Sequence, residues 1–158
     1  MFLDKATFST VVDSTPLVSI DLVVINEQGQ ALLGERLNRP AQGYWFIPGG
    51  RILKHESLES AFKRLTLNEL GYELNIKDAE LLGPYDHFYG DSVFGESIKT
   101  HYVAIAYVVR ASEKQLSNLP INEQHGCYEW FDMDAISNNE KVHIHTKWYF
   151  DAITAKGI

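Results

Sequence analysis

At 158 residues, 45% of them apolar and 12% aromatic, the chain has material for one packed core, and its composition excludes intrinsic disorder. A formal charge of −7 and a pI near 5.3 exclude a protein built to neutralise a nucleic-acid backbone, which needs an excess of Lys and Arg. Cys127 is the lone cysteine, no stretch of eighteen apolar residues occurs and no apolar leader follows Met1, so the expectation is a cytoplasmic protein with no internal disulfide and no membrane contact.

Residues 4–13 predict a short helix presenting Phe8, Val11 and Val12, stopped by Ser14-Thr15-Pro16 because proline cannot continue a helix. A strand is expected over 17–25, where apolar and β-branched residues dominate and Ser19 and Asp21 interrupt them. Asn26-Glu27-Gln28-Gly29 has turn chemistry, and 31–37 reads as the returning strand. The segment 38–43 is a loop by composition, and 44–47 is a short buried strand ending at Pro48-Gly49-Gly50.

The clearest helix follows. Ser57 suits its N-cap, Leu58, Ala61, Phe62, Leu65 and Leu70 form an apolar stripe, and Gly71 suits the position just past its end. Strands over 79–89 and 99–110, separated by a loop over 90–96, predict a long β-hairpin. Residues 111–126 are loop-like, 127–131 is a last strand, and 142–155 reads as a closing helix carrying Trp148, Tyr149 and Phe150. The order is not a regular βαβ alternation, so the expected fold is α/β: one domain over 1–158 with a mixed sheet between helices, an α/β/α sandwich.

Two carboxylates stand out. Glu69 falls about 20° from Phe62 and about 40° from Leu65 around the central helix, on its apolar face, where a carboxylate wants a cation. Asp21 lies mid-strand among apolar neighbours, where it is either satisfied by a ligand, hydrogen-bonded in the interior, or on a solvent-facing side. Histidine has no such positional logic here. His55, His143 and His145 read as ordinary surface or core residues, whereas His125 follows Gln124, a candidate oxygen ligand, in a loop, with a pKa near working pH.

Gly50, Glu56, Arg64 and Glu69-Leu70-Gly71-Tyr72 resemble, over residues 50–72, the Nudix box, G-x5-E-x7-R-E-U-x-E-E-x-G-U. Leu65 and Asn68 stand where that family places two more glutamates, and Thr66 replaces the usual bulky aliphatic. With less negative charge on the helix, one Mg²⁺ and a base located elsewhere are expected. These departures resemble one Nudix branch, the GDP-mannose mannosyl hydrolases. Further matching segments are Asn38-Arg39-Pro40-Ala41-Gln42-Gly43-Tyr44-Trp45-Phe46, Pro48-Gly49-Gly50-Arg51, His87-Phe88-Tyr89, Thr100-His101-Tyr102-Val103 and Glu123-Gln124-His125.

The resemblance implies one Mg²⁺ per subunit, with Mn²⁺ as a substitute, held by the Gly49 carbonyl, Glu69 and Gln124, and a catalytic base at His125. It also implies Phe2, Leu3 and Phe8 near the nucleotide, Arg36 as a catalytic charge on the diphosphate, and Asp21, His87 and Tyr102 around the sugar. Arg51 and Arg64 become supporting charges, Arg51 at the substrate, and the assembly is expected to be a homodimer. Taken by themselves, Phe2 and Phe8 are packing residues. The implied reaction is hydrolysis of a GDP-hexose such as GDP-mannose at the anomeric carbon with inversion. GDP departs without the acid that an alkoxide needs, so a single base suffices. The alternatives are a Nudix pyrophosphohydrolase cutting between phosphates and a non-catalytic nucleotide-sugar-binding module.

Overall fold

The computed structural model describes residues 2–119 and 125–158, the latter segment beginning with the main chain of His125. Helix α1 (Lys5–Ser14) is opened by Asp4, whose side chain accepts from the Thr7 amide at 2.7 Å. Strands β1 (Leu17–Ile25) and β2 (Gln30–Arg36) follow, joined by a turn in which the Asn26 side chain accepts from the amides of Gln28 and Gln30. Two short strands, β3 (Trp45–Phe46) and β4 (Gly49–Arg51), lead to α2 (Leu58–Leu70). After a single 3₁₀ turn, Ile76–Asp78, come β5 (Glu80–Tyr89), β6 (Thr100–Arg110), β7 (His125–Asp132), the one-turn α3 (Met133–Ile136) and α4 (Ile144–Lys156).

The sheet is mixed. Its order is β3-β2-β1-β6-β5, with β1 and β6 parallel and the other pairs antiparallel. Strands β1 and β2 pair at Ile25↔Ala31 beside their turn and then part; β4 takes β1 from Ser19 to Asp21, and β7 takes β2 from Gln30 to Arg36. This fork opens the space in which the site lies.

Strand β1 explains the layering. Its side chains alternate, so Ile20, Leu22 and Val24 face one way and pack with Ala61, Phe62, Leu65 and Leu70 of α2. Val23 and Ile25 face the other way and pack with Tyr149, Phe150 and Ile153 of α4. The result is the expected α/β/α sandwich. Asp21 shares the parity of Val23, which turns it toward α4 rather than toward solvent.

The central helix is specified locally. The Ser57 hydroxyl accepts from the Ser60 amide at 3.0 Å, and Gly71 closes the helix at φ +73°, a left-handed conformation that needs no Cβ. Arg64 grips Glu56 through two bonds of 2.7 and 2.8 Å and the Arg51 carbonyl at 2.9 Å. Two residues of the motif thereby tie α2 to the strand before it. Thr66 is fully buried; its hydroxyl donates to the Phe62 carbonyl at 2.9 Å and accepts from the Leu74 amide at 3.0 Å, closing the turn beyond the helix. A bulky aliphatic could fill this space but could not make the second bond.

Expectation and structure differ in places. Gly49 and Gly50 form strand β4 rather than only a turn, because β1 offers them an edge as it leaves β2. A Cβ on Gly49 would stand 2.5 Å from the Ile20 carbonyl, and one on Gly50 would stand 2.6 Å from Leu65 Cδ2. The glycines let strand and helix approach this closely. Strand β2 ends at Arg36 instead of residue 37, and β7 begins at His125, which pairs with Arg36, so residue 125 starts a strand rather than sitting in the loop. Among the described residues no helix is long and apolar enough to cross a membrane.

Candidate active site

A cavity of about 310 Å³ lies where β1 and β2 part. Ser19 and Asp21 of β1, Arg36 of β2 and Gly49, Gly50 and Arg51 of β4 form its near wall. His87 of β5 and Tyr102 of β6, register partners side by side across the hairpin, line it as well. Phe8 and Val93 stand at the rim. The Arg51 guanidinium lies 4.7 Å over the Phe8 ring, and Phe8 meets Phe94 edge-on at 5.7 Å, so α1 and the β5–β6 loop meet above Arg51.

Arg36 stays in the wall because the next loop folds back on it. Its amide donates to the Tyr44 carbonyl, its carbonyl accepts from the Gly43 amide, and its Nε donates to the Pro40 carbonyl at 3.1 Å. Two guanidiniums therefore border one cavity in a protein of net negative charge. Such a pair concentrates positive potential where an anionic group would bind.

Asp21 is buried and accepts from the Tyr149 hydroxyl at 2.5 Å. Of the readings left open by its position, the interior hydrogen-bonded one holds, and the carboxylate borders the cavity as well. Burial pushes its pKa up to about 7, against the opposing pull of the Tyr149 hydrogen bond and the Arg36 charge. His87 lies 3.9 Å from Asp21 through Nδ1. Burial, then the neighbouring His145 and His143, bring His87 down to about 3, so the ring is neutral and the pair is not a salt bridge. Burial also brings His143 and His145 down to about 4 and pushes the Tyr102 hydroxyl up.

His143 and His145, read from the sequence as ordinary surface or core residues, pack beside the cavity residue His87. His143 caps α4, its Nδ1 accepting from the His145 amide at 3.1 Å, and the His145 ring stacks on His87 at 4.3 Å and 11°. Tyr149 likewise belongs to the site's surroundings and not merely to the closing helix. The usable signal was the four-residue spacing of His145 and Tyr149, which puts both on one helix face.

Of the residues expected at the site, Phe8, Asp21, Arg36, Gly49, Arg51, His87 and Tyr102 border this cavity. Phe2 is 95% exposed, and neither it nor Leu3 lines the cavity. Glu69 is buried at 4% exposure, as its helical position predicts, and does not line this cavity. Gln124 and the His125 side chain lie outside the described residues. Among the described residues no three His, Cys, Asp or Glu side chains converge for a metal. The Leu22 amide bonds the Pro48 carbonyl and the Ile52 amide bonds the Val18 carbonyl, a ladder that leaves the Gly49 carbonyl directed away from β1. A main-chain carbonyl at the cavity wall and a carboxylate on α2 are both hard oxygen donors, the chemistry that suits a hard cation.

A family model of the NUDIX domain matches residues 15–152, spanning the whole sheet, α2 and the larger part of α4. The chain belongs to the Nudix family. The low-salt glycan biosynthesis protein Agl8 of Haloferax volcanii is 36% identical over 146 residues, 92% of this chain and 87% of that protein. Among solved Nudix structures, the MutT Nudix hydrolase of Burkholderia pseudomallei superposes with a TM-score of 0.70 at 27% identity, covering 89% of this chain and 99% of that one. The MutT protein of Methanosarcina mazei superposes at 0.72 with 19% identity, covering 91% and 97%, and speaks for the fold alone. Nudix enzymes are hydrolases that act on nucleotide compounds with a divalent metal such as Mg²⁺, and the segment here that resembles the Nudix box runs from β4 through α2 and is tied by Arg64 and Glu56.

Proposed function

We propose that this Nudix chain hydrolyses a GDP-hexose, with GDP-mannose the substrate to test first, to GDP and free sugar by attack of water at the anomeric carbon with inversion. The observation that carries this reading is the cavity's division of labour. Arg36 and Arg51 supply cations for a diphosphate, while Asp21, His87 and Tyr102 supply polar groups suited to sugar hydroxyls in the same small space.

The thinned helix supports the same conclusion. Leu65 is buried in the core against Gly50 and Asn68 is exposed, so neither could replace a metal-gathering glutamate. The Gly49 carbonyl, Glu69 and Gln124 would hold one Mg²⁺, which offsets charge developing on the departing diphosphate. Arg36 contacts that diphosphate, and His125 takes the proton of the attacking water. The main chain of His125 pairs with Arg36 across β2 and β7, and these two residues on neighbouring strands support the reading. The glycan-biosynthesis name of the Haloferax volcanii relative accords with a nucleotide-sugar substrate.

Incubation with GDP-mannose and Mg²⁺ in oxygen-18 water tests the proposal. GDP and labelled β-mannose, inverted from the α-linked sugar of the substrate, are expected. GMP with mannose 1-phosphate would assign the chain to the pyrophosphohydrolases of its family instead, and label on GDP would place the attack at phosphorus and overturn the mechanism. Tight binding with no turnover would leave a nucleotide-sugar-binding module.

A further inference from the structure

We propose that Tyr149 is a positioning residue that locks His87 in one tautomer, with Nε2 protonated and Nδ1 offered as a hydrogen-bond acceptor beside the Asp21 carboxylate. The inference deepens the reading of the cavity as a sugar site and rests on it for its consequence, though not for its geometry.

The geometry begins with proton counting. A phenol has one proton to donate. The Tyr149 hydroxyl donates it to Asp21 Oδ2 at 2.5 Å, the length of a charge-assisted O–H···O⁻ bond. The same oxygen lies 3.1 Å from His87 Nε2. With Asp21 ionised, that proton is committed to the carboxylate and Tyr149 can only accept from His87, so Nε2 carries the hydrogen and Nδ1 the lone pair.

The rest of α4 supports this grip. His145, one turn before Tyr149, stacks on the His87 ring at 4.3 Å, and the Tyr85 ring meets Tyr149 edge-on at 4.8 Å. Lys156 donates to the Leu82 carbonyl at 2.9 Å, fastening the far end of α4 to the strand that carries His87. Both Tyr149 and His87 are almost fully buried, so water does not compete for the bond.

The consequence is chemical. His87 Nδ1 and Asp21 Oδ2 stand 3.9 Å apart, and both residues border the cavity. Two acceptors cannot bond each other; they select a ligand bearing donors, which in the proposed substrate are ring hydroxyls. A His87 free to flip its tautomer would present a donor part of the time and discriminate less.

Nitrogen-15 NMR of histidine-labelled, ligand-free protein at mildly alkaline pH reads the tautomer directly. His87 is expected to show a protonated Nε2 and an unprotonated Nδ1 in the wild type, and averaged tautomers in Tyr149→Phe, which keeps the ring and its contact with Tyr85. With GDP-mannose, Tyr149→Phe is expected to raise KM about tenfold, the worth of one hydrogen bond, with a smaller change in kcat. A wild-type His87 protonated on Nδ1, or a Tyr149→Phe protein with unchanged tautomer or unchanged KM, overturns the proposal. The NMR arm needs no substrate. If GDP-mannose proves not to be turned over, the reading of the cavity fails while the tautomer assignment is judged separately.

Discussion

The Tyr128 hydroxyl of β7 lies 3.4 Å from the Glu69 carboxylate of α2, joining a strand that begins at residue 125 to the inward face of the Nudix helix. A carboxylate at 4% exposure needs polar company, and this contact places the proposed metal ligand beside the strand whose first residue is the proposed base.

Glu69→Gln is therefore expected to weaken Mg²⁺ binding at least about tenfold, the scale of one lost charge-assisted contact. Mg²⁺ titration of turnover reads this as a raised half-saturation point, with kcat at saturating metal much less affected. An unchanged Mg²⁺ dependence would remove Glu69 from the ligand set.

His125→Gln makes the opposite signature. Loss of a general base lowers kcat by about 10²–10⁴, while Mg²⁺ affinity stays near that of the wild type. Turnover within a few-fold of normal across pH rejects His125 as the base.

Gly49→Ala and Gly50→Ala separate two kinds of close approach. The new Cβ at 49 meets the Ile20 carbonyl at 2.5 Å and Asp21 Oδ1 at 2.6 Å, whereas the one at 50 meets the tip of Leu65. Backbone yields less than a side-chain methyl. A loss of about 1–3 kcal/mol is expected for Gly49→Ala and a smaller one for Gly50→Ala, read from urea midpoints at constant m-value. The reverse ranking would contradict the packing described.

Acid should destabilise the fold. His87, His143 and His145 titrate near 6.5 when unfolded but only at about 3, 4 and 4 when folded, so their contribution is whole above about 6.5 and is lost as pH falls toward 4. Asp21 acts in the other sense, since its pKa of about 7 in the folded state lets it take a proton that the unfolded chain refuses until near 3.8. Three rings outweigh one carboxyl. Unfolding free energy is expected to fall between pH 7 and 5, and His145→Phe to show a shallower fall; a flat profile would mean that these rings are not held neutral.

The sequence by itself determined what short-range rules govern. Strand β1 ends where apolar alternation meets a turn, α2 lies between its Ser57 cap and Gly71, and Glu69 is buried because helical periodicity leaves it no other direction. The motif and its missing glutamates were legible for the same reason: their spacing is set within one helix and one turn. Tertiary structure alone decided that Gly49 and Gly50 form a strand, that Asp21 meets Tyr149 across 128 positions of chain, and that three histidines share one cluster. A strand forms at residue 49 only where β1 leaves its other neighbour, and a buried carboxylate or imidazole is satisfied by whatever packs against it. Those partners come from the far end of the chain, and only the sandwich as a whole puts them within reach.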